Sequence, residues 1–285
     1  MKTRSFFQST SITLLYCWLG LLVFIPLVLM LVTSFLSHSD DQLIVWHFTL
    51  RNYSQLAHYI YFRIFIQSLE LAFITTLFCF LIGYPAAYMI ARLSERSRSL
   101  AILFIILPFW TSSLIRTYAI LAILKTHGIV NSVLLHLGII HQPLQIIYTN
   151  VAVLIGSVYD LLPFMILPLY ANIEKLDKRL IEAARDLGAT RTRLFLRVIL
   201  PLTAPGIIAG SMLVFLPTMT LFYIPVILGG AKSILIGNLI QNQFLTIRDW
   251  PGGAATSVVL TILMLILLIL YRRVAQGRQG EELLV

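Results

Sequence analysis

Six runs of mostly apolar residues divide the chain, at about 12–36, 64–91, 100–124, 149–170, 204–229 and 254–271. A helix of about 20 residues crosses the hydrocarbon core of a bilayer, so each run predicts one transmembrane helix and residues 1–285 read as a single membrane domain. The first run follows Lys2 and Arg4. It is longer than the apolar core of a signal peptide and lacks a small-residue cleavage site, so it is expected to remain as the first span. Between the fourth and fifth runs, residues 171–203 carry the longest polar pattern in the chain. Asp177 is placed to cap a helix in which Leu180, Ala184 and Leu187 recur at helical spacing, and Gly188 marks its end. Thr190 caps a second short helix. There Arg193 with Arg197 and Leu194 with Val198 set a basic stripe beside an apolar one, up to Pro201. The pattern predicts a helix, turn, helix knob between two spans.

Composition agrees: 59% of residues are hydrophobic and 12% charged, which places the chain among integral membrane proteins with lipid as their surroundings. The net charge of +9 raises nucleic acid as a partner, and the knob has the local look of a DNA-reading helix-turn-helix. With no third helix to pack on and apolar spans on both sides, no nucleic-acid partner is expected. The positions of the charges say more than their number. With both termini in the cytoplasm, fifteen Lys and Arg fall inside, seven of them in the 171–203 loop, against Arg51, Arg63, Lys125, Lys232 and Arg248 outside. That bias orients the chain and puts the knob on the cytoplasmic side. Cys17 and Cys79 both lie in apolar runs, which supports packing rather than a disulfide or metal site.

The outer connections hold two readings open. Residues 37–63, with Asp40, Asp41, Trp46 and Tyr53, and residues 230–253, where Ile236, Leu239, Ile240 and Phe244 alternate with amides, suit either a soluble extracytoplasmic partner or interfacial packing. The second is expected to form an amphipathic surface helix. Pro26, Gly83, Pro85, Pro108, Pro163, Pro168, Pro217 and Pro225 interrupt the spans. Breaks of this kind are tolerated where protein or a cavity satisfies the freed backbone, as in transporters built from discontinuous helices. Catalysis is not expected: HExxH, GxSxG and paired cysteines are absent, and the six histidines lack ligand spacing. Gly230-Ala-Lys-Ser233 echoes the end of a phosphate loop but lacks its required glycine and falls on the outer side.

Three ionisable residues lie within spans: Glu70, Arg116 and Asp160. Each costs on the order of 3 kcal/mol at a helix centre and needs a partner, water or a role. Counted at about 1.5 Å per residue, Glu70 and Arg116 lie roughly 9 and 12 Å from the outer surface and are expected to pair. Asp160 falls roughly 16 Å deep, near the level of Trp110. A carboxylate beside an aromatic face suits an organic cation. The alternatives are a bond from Asp160 to a second subunit and plain helix packing for Trp110.

Glu182-Ala183-Ala184, Gly188 and, nine residues on, Val198, Leu200 and Pro201 resemble the signature E-A-A-x3-G-x9-I-x-L-P of ABC importer permeases, with valine in place of isoleucine. Pro108-Phe-Trp-Thr-Ser-Ser-Leu-Ile-Arg116, Glu174-Lys-Leu-Asp-Lys178, Leu221-Phe-Tyr-Ile-Pro225, Gly229-Gly-Ala-Lys232 and Ile247-Arg-Asp-Trp-Pro-Gly-Gly-Ala-Ala255 resemble permeases of spermidine/putrescine importers, their PotB-type subunits in particular. Val226 stands where that branch is expected to carry an acidic residue. The resemblance implies an all-α, six-helix type I ABC importer permease fold whose cytoplasmic 171–203 loop holds a coupling helix. Glu182, Ala183, Ala184, Gly188, Leu200 and Pro201 would engage an ATPase, and Trp110, Asp160, Tyr223 and Glu70 would line a polyamine path. It also implies a homologous PotC-type permease, a PotA-type ATPase dimer, a PotD-type periplasmic binding protein and a bacterial inner membrane. ATP and magnesium would be bound by the ATPase, with no cofactor in this subunit. A permease for another small solute is the competing expectation.

Overall fold

The computed structural model describes residues 6–39, 42–230 and 234–281; Lys2, Arg4, Asp40, Asp41 and the 231–233 segment considered above as a phosphate-loop echo lie outside the described residues. The helices in order are α1 (Phe6–Ser34), α2 (Arg51–Leu56), α3 (Tyr59–Ile90), α4 (Glu95–Ile106), α5 (Ser113–Leu124), α6 (Ile129–His136) and α7 (Asn150–Glu174). There follow α8 (Lys178–Asp186), α9 (Arg191–Leu194), α10 (Leu200–Leu202), α11 (Ala204–Thr220), α12 (Tyr223–Gly229), α13 (Ile236–Gln241) and α14 (Trp250–Glu281). Among the described residues five helices are long and apolar enough to cross a membrane, and the bent pair 191–202 and 204–220, meeting at 65°, brings the number to six if it is taken as one span. By packing the chain forms two units, Met1–Phe62 with Leu239–Ile266 and Arg63–Asn238 with Leu267–Val285.

In the smaller unit α1 runs into an antiparallel pair of strands, β1 (Ser37–Ser39) and β2 (Gln42–Val45). Asn52 of α2 ties the end of α1 to this pair by donating to the carbonyls of Ser34 and Leu36, both at 2.9 Å. Most of α1 is apolar and exposed, as a lipid-facing helix requires. At the start of α14 the small residues Gly252 to Ala255 are buried, and Thr256 donates to Gln243 at 2.9 Å.

The larger unit is organised around α7, which packs along α11 and touches α5 and α12. Apolar solvent gives helices little reason to associate, so close contact depends on small residues that let backbones approach. Gly206 and Gly210 of α11 serve that purpose. A Cβ at Gly206 would lie 2.6 Å from Cβ of Asn172, and one at Gly210 would lie 2.8 Å from Sδ of Met165 and 3.1 Å from its carbonyl oxygen. Tyr84, Met165, Leu169 and Val214 fill the core around this seam, and Tyr84 shares a buried 3.0 Å hydrogen bond with Thr203. Arg98 of α4 meets Glu174 at the end of α7, 2.9 Å apart.

Several expectations are corrected. The 100–124 run is not one helix: a 3-10 turn at Leu107–Trp110 and an extended Thr111 and Ser112 separate α4 from α5, because Pro108 supplies no amide to the ladder. The 204–229 run breaks at Leu221, which is extended, before α12. In the knob, the stripe expected at Leu194 and Val198 is realised as buried Leu194 and Ile199, five apart. A π turn over Phe195–Ile199 adds one residue just ahead of Pro201, which cannot donate to its own preceding turn. The 230–253 segment does form a helix over 236–246 with an exposed face at Asn242, Leu245 and Thr246, but its start is packed into the protein rather than lying on the surface. Ile236 donates its amide to the buried hydroxyl of Ser68 at 3.0 Å, and a Cβ at Gly237 would meet the carbonyl of Thr220 at 2.5 Å.

Gly210→Leu is expected to pry α11 from α7 at a cost of about 1–3 kcal/mol, while Gly20→Leu, on the open face of α1, is expected to cost little. Thermal unfolding of the two purified variants, compared with the unsubstituted chain, checks the difference.

Candidate functional site

Both broken spans lead to the same place. After the first break α5 restarts at Ser113, and after the second α12 restarts at Tyr223. The freed backbone is satisfied locally: the carbonyl of Pro108 accepts from the Thr111 hydroxyl at 2.8 Å, and that of Phe222 accepts from Nδ2 of Asn238 at 2.6 Å. α5 and α12 pack on each other and on α7. Arg116 therefore leaves the first turn of α5, and Tyr223 the first residue of α12, and the two converge on Asp160 in the body of α7.

Asp160 is 7% exposed. Nη2 of Arg116 stands 2.9 Å from its Oδ1, and the Tyr223 hydroxyl donates to its Oδ2 at 2.7 Å. The guanidinium also lies 5.0 Å from the centroid of the Phe109 ring, which meets Phe164 edge to face at 5.2 Å. Three helices and the 3-10 turn thus bury a carboxylate and a cation together, with half-buried Phe109 beside the cation and Phe164 exposed on the far side of that ring. A charge alone at this depth is costly, and the opposite charge removes most of that cost while the phenol satisfies the second oxygen. Such a group can hold or exchange a cation; it contains no nucleophile paired with a base.

The pairing expected between Glu70 and Arg116 is corrected: the partner is Asp160. The expectation counted depth along an unbroken 100–124 helix, and the break at Thr111–Ser112 starts a new helix with Arg116 turned to α7. Glu70 is exposed and lines a separate cavity of about 260 Å³ with Gln67, Leu71, Asn150, Ile234 and Leu235. Trp110 is 76% exposed, and Phe109 supplies the aromatic face beside the charges. Phe109 lies in the Pro108–Arg116 segment singled out by sequence, where Trp110 drew the aromatic role instead, and nothing distinguishes Phe164 from the many other aromatic residues of the spans.

At the knob, Asp177 accepts from the Arg179 amide at 2.9 Å and Thr190 from the Arg193 amide at 3.4 Å, so both short helices are capped as their sequence requires. Gly188 takes φ of +78°, a left-handed turn that a side chain would strain. Glu182, Ala183 and Gly188 are exposed, Ala184 and Leu200 half-buried, and Pro201 exposed. Leu187, an apolar residue beside the glycine, is 89% exposed at the tip.

A family model described as "Binding-protein-dependent transport system inner membrane component" matches residues 79–279. The chain belongs to this family. As an inner-membrane component it is a multi-pass permease subunit that works with a periplasmic binding protein and further subunits; it is not an enzyme, and in ABC importers the ATPase is separate. The permease is 51% identical to the "Spermidine/putrescine transport system permease protein PotB" of Salmonella typhimurium, over 97% of this chain and 96% of that one. It is 52% identical to the Escherichia coli protein of the same name, over 91% and 94% of the two chains. Among solved structures, a chain of a bacterial ABC transporter involved in the import of the acidic polysaccharide alginate superimposes with a TM-score of 0.78, covering 96% of each chain at 17% identity. That likeness shows the fold, the type I importer permease fold.

Removing one member of a buried ion pair leaves the other charge stranded, at about 3–5 kcal/mol. Arg116→Gln and Asp160→Asn are each expected to destabilise the permease by roughly that amount, and the double variant by clearly less than the sum. Tyr223→Phe should cost about 1–3 kcal/mol, the loss of one hydrogen bond to a charged acceptor. A thermal double-mutant cycle measures all of these, and strict additivity would refute the pair.

Proposed function

We propose that this permease forms half of the membrane channel of an ATP-driven importer that carries polyamines, spermidine and putrescine, across a bacterial inner membrane by alternating access. The observation that carries the substrate is the 51% identity, over 97% of the chain, to a spermidine/putrescine permease. The other half is a homologous PotC-type permease, the motor is a PotA-type ATPase dimer that binds ATP and magnesium, and a PotD-type periplasmic protein delivers the solute. Both termini and the knob face the cytoplasm, a reading supported by the charge bias, seven Lys and Arg lying in the 171–203 loop alone.

The knob is the coupling element. Glu182, Ala183 and Ala184 lie on α8, whose small residues permit close approach, while Gly188 makes the turn and Leu187 stands out as an apolar anchor. Leu200 and Pro201 lie where the knob bends by 65° into α11. ATP-driven closure of the motor moves the knob, and α7 and α11, joined at its two ends, move with it. The path runs past Glu70, in its cavity, and Trp110, exposed at the first break, to the group formed by Asp160 and Tyr223 with Arg116. An ammonium needs an acceptor and its methylene stem an apolar or aromatic surface, and these residues supply both.

Uptake of labelled spermidine into proteoliposomes holding the complete complex tests the function. Unlabelled putrescine should compete and sugars or anions should not; competition by a sugar or an anion instead would assign the permease to another small solute. For the knob, Gly188→Asp, Glu182→Lys and Leu187→Ala are each expected to leave the complex assembled while uptake per ATP hydrolysed falls by about tenfold, equivalent to about 1.4 kcal/mol of lost coupling. Uptake and hydrolysis measured on the same vesicles check this. A single cysteine at Ala189 should react with an impermeant maleimide only in inside-out vesicles, and less once the ATPase is added; labelling from outside would reverse the orientation.

A further inference from the structure

The cation beside Asp160 is bound as an organic ammonium would be. One carboxylate oxygen is fixed by the Tyr223 hydroxyl, the other faces the charge at 2.9 Å, and the Phe109 ring lies under the cation at 5.0 Å. A carboxylate beside an aromatic face is the chemistry that receives an amine carried on methylene segments. Arginine uses the place incompletely. Its fork normally meets a carboxylate through two parallel hydrogen bonds, yet here Nε of Arg116 and Oδ1 of Asp160 are both buried with no hydrogen-bond partner among the described residues. The contact is charge against charge without an aligned donor. The buried hydroxyl of Ser157, one turn before Asp160 on α7, is a third polar group without a partner among the described residues. Arg116 also sits in the first turn of α5, where the helix dipole disfavours a cation.

We propose that Arg116 is a tethered stand-in for the transported cation: it occupies the ammonium site at Asp160 between transport events, and an ammonium group of the polyamine takes its place during passage. The inference rests on the reading that Asp160 lies on the polyamine path. An exchange of one cation for another leaves the carboxylate paired at every stage, so no charge is stranded at a depth where stranding is costly. An ammonium can turn an N–H onto Oδ1, which the guanidinium does not do here, and this gives the incoming group its advantage. Arg116 then competes for the same carboxylate and drives the amine off, keeping the site weak enough to release what it binds. A neutral sugar has no charge to offer Asp160, and an anion meets a carboxylate, so the exchange selects amines.

The test uses the complete complex in proteoliposomes, treated with an α-dicarbonyl that modifies free guanidinium groups, with the peptide containing Arg116 followed by mass spectrometry. Putrescine should raise modification of Arg116 by about fivefold or more, an amount equal to about 1 kcal/mol of displaced pairing. Sodium chloride of equal ionic strength should not, and in Asp160→Asn the modification should be high with or without putrescine. Unchanged or reduced modification with putrescine overturns the proposal. In a second arm, Arg116→Met should lower the KM for putrescine uptake and lower kcat, each by about tenfold, with Arg116→Lys between it and the unsubstituted permease. If Arg116→Met assembles only when putrescine is present throughout purification, the proposal is supported; if it fails to assemble even then, Arg116 is a structural partner only and the proposal falls. Asp160→Asn separates the two layers. Unchanged uptake in that variant removes Asp160 from the path and with it the reading beneath the proposal, whereas lost uptake in that variant together with no effect of putrescine on Arg116 in the unsubstituted complex removes the exchange alone.

Discussion

A carboxylate in the middle of an apolar span has to be met by a cation, and the arrangement of α5, α7 and α12 follows from how Asp160 is met. Arg116 reaches it because the third span stops at Pro108 and restarts at Ser113, and Tyr223 reaches it because the fifth stops at Leu221 and restarts two residues later. The breaks would be expensive in lipid. They are tolerated because the carbonyls of Pro108 and Phe222 have donors within the protein, so an irregular backbone survives where its own chain covers it.

The second constraint is the close fit of α7 and α11. The two helices enclose the knob in sequence, and the glycines of α11 bring them within contact of each other's backbone. For the proposed docking element this matters, because two loosely packed helices would lose its motion in side-chain slack, whereas a tight seam carries a shift of the knob into both. On the other side Arg98 holds the start of α4 against Glu174, so the segment that leads to the first break is anchored to the same end of α7.

Much of this was legible in the chain because the signals were local. Four of the six apolar runs, the caps at Asp177 and Thr190, and the turn at Gly188 depend on residues within a few positions of one another, and the structure has each of them in place. What failed depended on chain direction after a break. Pro108 marked an interruption but not where helix resumed, so Arg116 was assigned to Glu70 at a matching depth rather than to Asp160. The π turn before Pro201 shifted an apolar stripe by one residue for the same reason, since a period counted across an inserted residue loses its phase. Phe164 carries no mark of its own, and Phe109 stands beside the more conspicuous Trp110. Their role comes from where the 3-10 turn and α7 meet, a matter of packing rather than of sequence.

The site and the knob are joined by a single helix, and the character of that helix decides what can pass between them. Asp160 and Glu174 are separated by roughly 20 Å along α7 at about 1.5 Å per residue. A straight, fully bonded helix would carry a push at one end to the other as a rigid rod. α7 is not of that kind: Pro163 and Pro168 lie between the two positions, and each removes one rung of the ladder. A proline-softened helix standing free would bend without passing anything on. This one is braced where it is soft, since α11 passes so close that a Cβ added at Gly210 would lie 3.1 Å from the carbonyl oxygen of Met165 and one at Gly206 3.1 Å from that of Pro168. In the proposed coupling, movement of the knob tilts α7 about its contact with α11 and so alters the approach of Asp160 to Arg116 and Tyr223.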